Sequence, residues 1–258
     1  MDVNDTGAPI YRKTIFLDSN YIIYLSLFIE LCLVMAEEPT ASAILNSETL
    51  AGHGLEKKIL EMDRLSDGKK LFDYLTAEAQ SGSEIVSSRF CELEFLSLLL
   101  ERRADKNLLT AGVPFRLRSK KHGLLYLHSL EPSDYSDVTD EYERLKGKVS
   151  EYGIDMKILE ETGNYHSQIV ETAKIIMGNI MIDVPDAIVY SASVTAEADE
   201  FLTTDETLKL IANKLRNPSE EPWSSIASAI VHKLQEQNIS TGEASTRIPF
   251  NLPEGKKV

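Results

Sequence analysis

Short apolar runs that alternate with helical patterns constrain the fold of this chain most strongly. Three runs have the length and apolar character of buried strands, namely residues 13–17, 84–88 and 200–203. Each run is followed by apolar residues at helical spacing. Strands that alternate with helices form βαβ units, which build a mainly parallel sheet with helices on both faces. We therefore expect an α/β fold, a three-layer α/β/α sandwich around a mainly parallel sheet.

The helices and the domain boundaries follow from the same periodicity. The predicted helices cover residues 22–34, 55–80 with a break at 66–68, 90–103, 167–181, 187–197, 205–215 and 224–235. Pro185 supports the helix start beside it, because proline is favoured in a first helical turn. Residues 110–164 have the least regular spacing of apolar residues. We therefore predict one domain over residues 1–216 with an insertion at about 110–164, followed by a C-terminal extension over 217–258.

Acidic residues occur where the predicted strands end. Asp18 directly follows the first strand and Asp205 the last, while Glu94 lies on the helix after the second strand and Asp186 begins a helix. In sheets of this type, ligands bind beyond the carboxyl ends of the strands. Carboxylates that converge there repel one another unless a cation lies between them. The pattern predicts a divalent-cation site with oxygen ligands, which suits Mg²⁺ or Mn²⁺.

Each of these acids also has a structural alternative. Asp18 could cap the helix that follows it, Asp186 could favour the dipole of its helix, and Asp205 could be a helix cap. Glu92 is the rival of Glu94, and either side chain could lie on the solvent face of the helix. A cap alone does not predict three further acids at the same sheet edge, so we favour the cation site.

The charge of the chain limits the ways in which it could hold nucleic acid. The net charge is −14, from 41 acidic and 27 basic residues. A protein that grips nucleic acid mainly through phosphates is usually basic, so the acidity counts against a broad nucleic-acid binder. The densest positive segment, residues 116–122, is either a solvated face or a region of RNA contact on the rim of the carboxylate cleft. Its cationic side chains are Arg116, Arg118, Lys120 and Lys121.

Three further features bear on the class of protein. Cys32 and Cys91 both lie in apolar stretches, which predicts buried, inert thiols rather than a disulfide or a zinc site. The apolar stretch 21–36 is interrupted by Glu30 and is too short for a membrane span, so we expect a buried helix. The first residues lack the pattern of a secretory signal, and a cytoplasmic location is expected.

Three motifs carry a resemblance to a known family. The first is residues 16–20 (FLDSN), and the second is residues 86–88 (VSS) with Glu94 on the next helix. The third begins with Asp186 and residues 187–189 (AIV) and leads to residues 201–205 (FLTTD). At these motifs the chain resembles the PIN-domain family of metal-dependent ribonucleases, which includes the toxins of many toxin–antitoxin pairs. The resemblance covers residues 15–210 apart from the middle insertion.

The resemblance implies a PIN-like α/β/α sandwich that binds Mg²⁺ or Mn²⁺ and hydrolyses RNA as an endoribonuclease. It implies ligand roles for Asp18, Glu94, Asp186 and Asp205, and the spacing from Ser88 favours Glu94 over Glu92. It assigns supporting roles to Ser19, Asn20 and Thr204. The implied partners are RNA and an antitoxin or another protein, or a second copy in a homodimer, and no membrane.

Two other functions remain open at this stage. The length and acidity depart from those of the small PIN toxins, which leaves room for an inactive PIN-like scaffold that binds RNA or a protein. A phosphatase of the haloacid-dehalogenase type would use Asp18 as a covalent nucleophile and would need a second Asp two positions on. Asn20 occupies that position.

Overall fold

The computed structural model describes residues 12–34, 62–114, 117, 128–163, 165–216, 218, 220–237 and 239. The strands are β1 Thr14–Leu17, β2 Glu84–Ser87, β3 Met156–Ile158 and β4 Glu200–Leu202. The helices are α1 Ser19–Val34, α2 Met62–Gln80, α3 Arg89–Thr110, α4 Pro132–Glu151, α5 Leu159–Thr162, α6 His166–Met177, α7 Val184–Thr195, α8 Glu206–Arg216 and α9 Trp223–Glu236.

The four strands form one parallel sheet in the order β3-β2-β1-β4. β1 lies between its two partners, with Phe16 opposite Val86 on one side and Phe201 on the other. β3 extends the sheet beyond β2 and pairs Ile158 with Ser87. Helices flank this sheet, as expected for a three-layer α/β/α sandwich. The predicted fold class is confirmed.

The central strand is apolar because both of its faces are covered. Ile15, Phe16 and Leu17 are fully buried, and the rings of Phe16 and Phe201 pack together across β1 and β4. Parallel strands that are buried on both faces read as continuous apolar runs rather than as alternating patterns. This explains why the strand is recognisable from the sequence.

The helices pack in two groups. In the first group, α1 contacts α2, α3 and α4; in the second, α6 contacts α7 and α9, and α8 contacts α7 and α9. α3 also contacts α7, so the two groups approach each other at these helices. The buried residues Phe28, Ile29 and Cys32 confirm α1 as a buried helix. None of the helices described combines the length and apolar character needed to cross a bilayer.

The segment predicted as an insertion contributes to the central sheet. Residues 110–164 contain α4, β3 and α5, and β3 is an edge strand hydrogen-bonded to β2. β3 has only three residues, one of which is the exposed Lys157, so its apolar signal is weak. Edge strands of this kind are commonly short and carry charged side chains. The division into domain, insertion and extension stays a prediction.

The helix break predicted at residues 66–68 is wrong. α2 is continuous through Gly68, which is buried where α2 crosses α1. A Cβ atom at this position would lie 2.3 Å from the carbonyl oxygen of Tyr24. Gly68 therefore permits a close approach of two helices rather than ending one of them.

Candidate metal centre

The carboxyl ends of β1, β2 and β4 meet at one edge of the sheet because the strands are parallel. Backbone and side-chain hydrogen bonds hold this edge together. The amide of Asp18 donates to the carbonyl of Leu202 at 3.0 Å, and the Ser87 hydroxyl donates to the carbonyl of Leu17 at 2.8 Å. The residues that follow these strands are thus held in fixed positions relative to one another.

Asp18 lies at the base of this edge and is only 4% exposed. Its Oδ2 accepts a hydrogen bond of 2.6 Å from the Thr203 hydroxyl, and its Oδ1 accepts one of 3.1 Å from the Ser19 hydroxyl. Burial raises the pKa of Asp18, while the hydrogen bonds from Thr203, Ser19 and Asn20 oppose that rise. Of the predicted supporting residues, Ser19 thus hydrogen-bonds the carboxylate, and Asn20 lies near enough to lower its pKa.

Glu94 and Cys91 complete a compact group with Asp18. One possible ligand atom from each of the three residues lies within 4.8 Å of the others. Cys91 and Glu94 are three residues apart on α3, which places them on the same face of the helix. Burial raises the pKa of Glu94, and the charges of Asp18 and Asp186 raise it further, while the neighbouring Ser19 hydroxyl opposes the rise.

The thiol of Cys91 is fully buried, as predicted, but it is not remote from the acidic group. Burial raises its pKa to about 12, and the charges of Asp18 and Glu94 act in the same direction. Its sulfur accepts a hydrogen bond of 3.3 Å from the Ser88 hydroxyl. Cys91 is thus buried and free of a disulfide, as predicted, and it also lies in a group of side chains that could hold a metal ion, a position that the sequence did not indicate.

Asp186 and Asp205 lie outside that three-residue group, but Asp186 is near enough to interact electrostatically with Asp18 and Glu94. Asp186 lies in the first turn of α7, and its pKa is raised by burial and by the charges of Asp205, Asp18 and Asp183. The carboxylate of Asp205 accepts a hydrogen bond of 2.7 Å from the amide of Leu208 at the start of α8. Asp205 therefore serves as a helix cap and also acts electrostatically on Asp186.

Positive charge does not balance these acids in the part of the chain that the structure describes. No ion pair there involves Asp18, Glu94, Asp186 or Asp205. Burying a carboxylate without a partner charge is costly, and the group usually neutralises or binds a cation instead. The arrangement is that of a possible acidic metal-binding cluster.

Glu92, the rival of Glu94, has a different environment. It is 5% exposed, and its carboxylate accepts a hydrogen bond of 2.5 Å from the Tyr142 hydroxyl on α4. Its other oxygen pairs with the guanidinium of Arg89. The structure thus gives Glu92 a partner on α4 and a counter-charge, and brings Glu94 rather than Glu92 close to Asp18.

Thr203, directly after β4, is a contact of Asp18 that the sequence did not indicate. The hydroxyl next to Asp18 belongs to Thr203, which is 1% exposed, and not to the predicted Thr204, which is half-buried. Thr203 also accepts a hydrogen bond of 3.1 Å from the amide of Asp205. The sequence does not show which of the two adjacent threonines faces the sheet edge, because their orientation depends on the residue at which β4 ends.

The predicted RNA-contact residues Arg116, Arg118, Lys120 and Lys121 lie outside the residues that the structure describes. Comparisons of the chain with protein-family models, curated proteins and solved structures found no match.

Proposed function

We propose that the chain is a metal-dependent nuclease that hydrolyses RNA phosphodiester bonds at the edge formed by Asp18, Glu94, Asp186 and Asp205. The observation that carries this proposal is the buried Asp18 carboxylate, which lies beside Glu94 without a counter-charge among the described residues. A structural carboxylate at such a position would be expected to have a basic partner, as Glu92 has in Arg89.

The donor set fits a divalent cation such as Mg²⁺ or Mn²⁺. Asp18, Glu94 and Asp186 offer carboxylate oxygens, the ligand type that these ions prefer. When bound, such an ion supplies a polarised water and neutralises charge that builds up on a phosphoryl group. Burial raises the pKa of all three acids, and repulsion from neighbouring carboxylates adds to the rise at Glu94 and Asp186. A bound cation would relieve that repulsion.

The protein groups around the site would serve to position the ligands. Thr203 and Ser19 hold the two oxygens of Asp18, so this carboxylate has one fixed orientation. Glu94 and Asp186 are less buried than Asp18, which leaves them accessible from the side on which a substrate would approach. Ligands held by such hydrogen bonds need little rearrangement when the reaction begins.

The residue two positions after Asp18 argues against the phosphatase alternative. A covalent Asp nucleophile of that type needs a second Asp there to transfer a proton to the leaving group. The position holds Asn20, whose amide cannot act as a general acid.

RNA as the substrate class rests on the resemblance of these motifs to the PIN-domain family. The chain carries a net charge of −14, which disfavours extensive contact with a polyanion. A site that contacts a few phosphates through a cation is compatible with this charge. The segment 116–122 is proposed as the part of the chain that guides the RNA backbone towards the acids.

The test is cleavage of a labelled single-stranded RNA by the wild type, by Glu94→Gln and by Glu92→Gln. The two variants make the same chemical change two residues apart on α3, so Glu92→Gln is the matched control. We expect cleavage that requires Mg²⁺ or Mn²⁺, that is lost in Glu94→Gln and that is retained in Glu92→Gln. Each protein's circular dichroism and melting temperature should be recorded to show that it is folded.

Two results would contradict the proposal in different ways. Cleavage by Glu94→Gln at the wild-type rate would show that the acidic cluster is not the active site. Binding of RNA by the wild type without ion-dependent cleavage would favour the PIN-like scaffold instead of a nuclease.

A further inference from the structure

Cys91 adds a sulfur donor to a group that otherwise contains only oxygen donors. Its sulfur and the carboxylate oxygens of Asp18 and Glu94 lie within 4.8 Å of one another. Donor atoms bound to one tetrahedral zinc ion lie about 3.3–3.8 Å apart, since each is roughly 2.0–2.3 Å from the metal. The three side chains could therefore share a single cation after their donor atoms approach one another by at most about 1.5 Å.

Hydrogen bonds at the start of α3 orient the sulfur of Cys91. Cys91 lies in the first turn of this helix. The Ser88 hydroxyl donates to its sulfur at 3.3 Å and fixes the direction of the side chain. As the N-cap of the helix, the Ser88 hydroxyl in turn accepts a hydrogen bond of 3.2 Å from the backbone amide of Cys91.

We infer that Asp18, Cys91 and Glu94 form a three-donor site that selects a thiophilic divalent cation, Zn²⁺, over Mg²⁺. On binding, the thiol releases its proton to solvent and a sulfur lone pair forms the bond to the ion. A thiolate favours Zn²⁺ strongly over Mg²⁺, whose preferred ligands are oxygens. This inference rests on the proposed metal centre and concerns which ion the same residues retain.

A consequence for the proposed activity follows from the shared ligands. Zn²⁺ held by Cys91 would occupy the carboxylates of Asp18 and Glu94 and exclude Mg²⁺ from them. Zn²⁺ would then act as an inhibitor of the Mg²⁺-dependent reaction, and removing the sulfur should weaken this inhibition.

The first experiment uses the wild-type protein and does not depend on any variant folding. X-ray absorption at the zinc edge of the protein loaded with one equivalent of Zn²⁺ should show a sulfur shell at about 2.3 Å together with oxygen donors at about 2.0–2.2 Å. Co²⁺ provides a second probe, because a thiolate ligand produces an intense ultraviolet charge-transfer band that carboxylates do not.

The variants show which cysteine supplies the sulfur. Cys91→Ser should lose the sulfur shell and the Co²⁺ charge-transfer band, and should bind Zn²⁺ at least about tenfold more weakly. Its affinity for Mn²⁺ or Mg²⁺ should change much less. Cys32→Ser is the matched control, because Cys32 is also fully buried but lies roughly 20 Å along α1 from Asp18. It should retain both signals.

The possible results separate this inference from the proposed function. Zn²⁺ or Co²⁺ bound by oxygen donors alone would overturn the role of Cys91 and leave the carboxylate centre standing. Unchanged Zn²⁺ affinity in a folded Cys91→Ser protein would overturn it equally. Failure of the wild type to bind Zn²⁺, Co²⁺ or Mn²⁺ would overturn both the inference and the metal centre.

Discussion

Replacing Thr203 with valine removes the hydrogen bond that holds Asp18 while preserving the shape of the side chain. The bond is short, at 2.6 Å, and joins groups that are 1% and 4% exposed. A hydrogen bond to a charged group contributes about 1.5–3 kcal/mol to stability. Removing the donor costs an amount near the upper end of that range when the acceptor that loses it is buried. The same hydroxyl accepts a hydrogen bond from the backbone amide of Asp205, and this amide would also lose its partner.

We therefore expect Thr203→Val to lower the free energy of unfolding by about 2–3 kcal/mol at neutral pH without divalent cations. Thr203→Ser is the control, since it keeps the hydroxyl and loses one methyl group at a cost of about 1 kcal/mol. Urea denaturation followed by circular dichroism measures both values. A Thr203→Val protein that is at least as stable as Thr203→Ser would refute the positioning role of the hydroxyl.

Three further predictions concern the cluster and the helix crossing. Burial raises the pKa of Asp18 in the folded protein, so protonation of this carboxyl stabilises the fold below about pH 4, and that stabilisation is lost as pH rises through the folded value. At neutral pH, Asp18→Asn should therefore have a higher melting temperature than the chelator-treated wild type. Mn²⁺ should raise the melting temperature of the wild type, and this rise should be absent in Glu94→Gln but present in Glu92→Gln. Without the ion, Glu92→Gln should be about 1 kcal/mol less stable than the wild type, because it weakens the contacts with Tyr142 and Arg89. Gly68→Ala should lower the free energy of unfolding by about 1–3 kcal/mol in urea, because its Cβ would meet the Tyr24 carbonyl; a stabilised variant would contradict this contact.

The sequence predicted those parts of the fold that depend on long apolar patterns. β1 was predicted to within one residue, because burial on both faces makes residues 15–17 continuously apolar. β3 was missed because an edge strand of three residues is stabilised by pairing with β2 and not by its own composition. Pairing of this kind joins residues about 70 positions apart, so no local pattern records it.

Asp18 and Asp205 were recognisable as candidates because they follow predicted strands, and Glu94 and Asp186 because they lie near the starts of helices. The polar neighbours of these acids were not recognisable. Whether Thr203 or Thr204 faces Asp18 depends on the residue at which β4 ends. Whether Cys91 faces the acids or the core depends on the rotation of α3 against the sheet, which tertiary packing sets. Apolar periodicity places Cys91 in the core, and its burial is consistent with that, but periodicity carries no information on its polar neighbours.

The central claim is that the acids at the sheet edge bind a divalent cation, and a crystal grown with Mn²⁺ tests it most directly. Anomalous scattering locates manganese without reference to any assumed ligand. We predict a peak within about 2.5 Å of a carboxylate oxygen of Asp18 and of an oxygen from Glu94 or Asp186. Manganese peaks elsewhere on this acidic surface, with none between these side chains, would contradict the account.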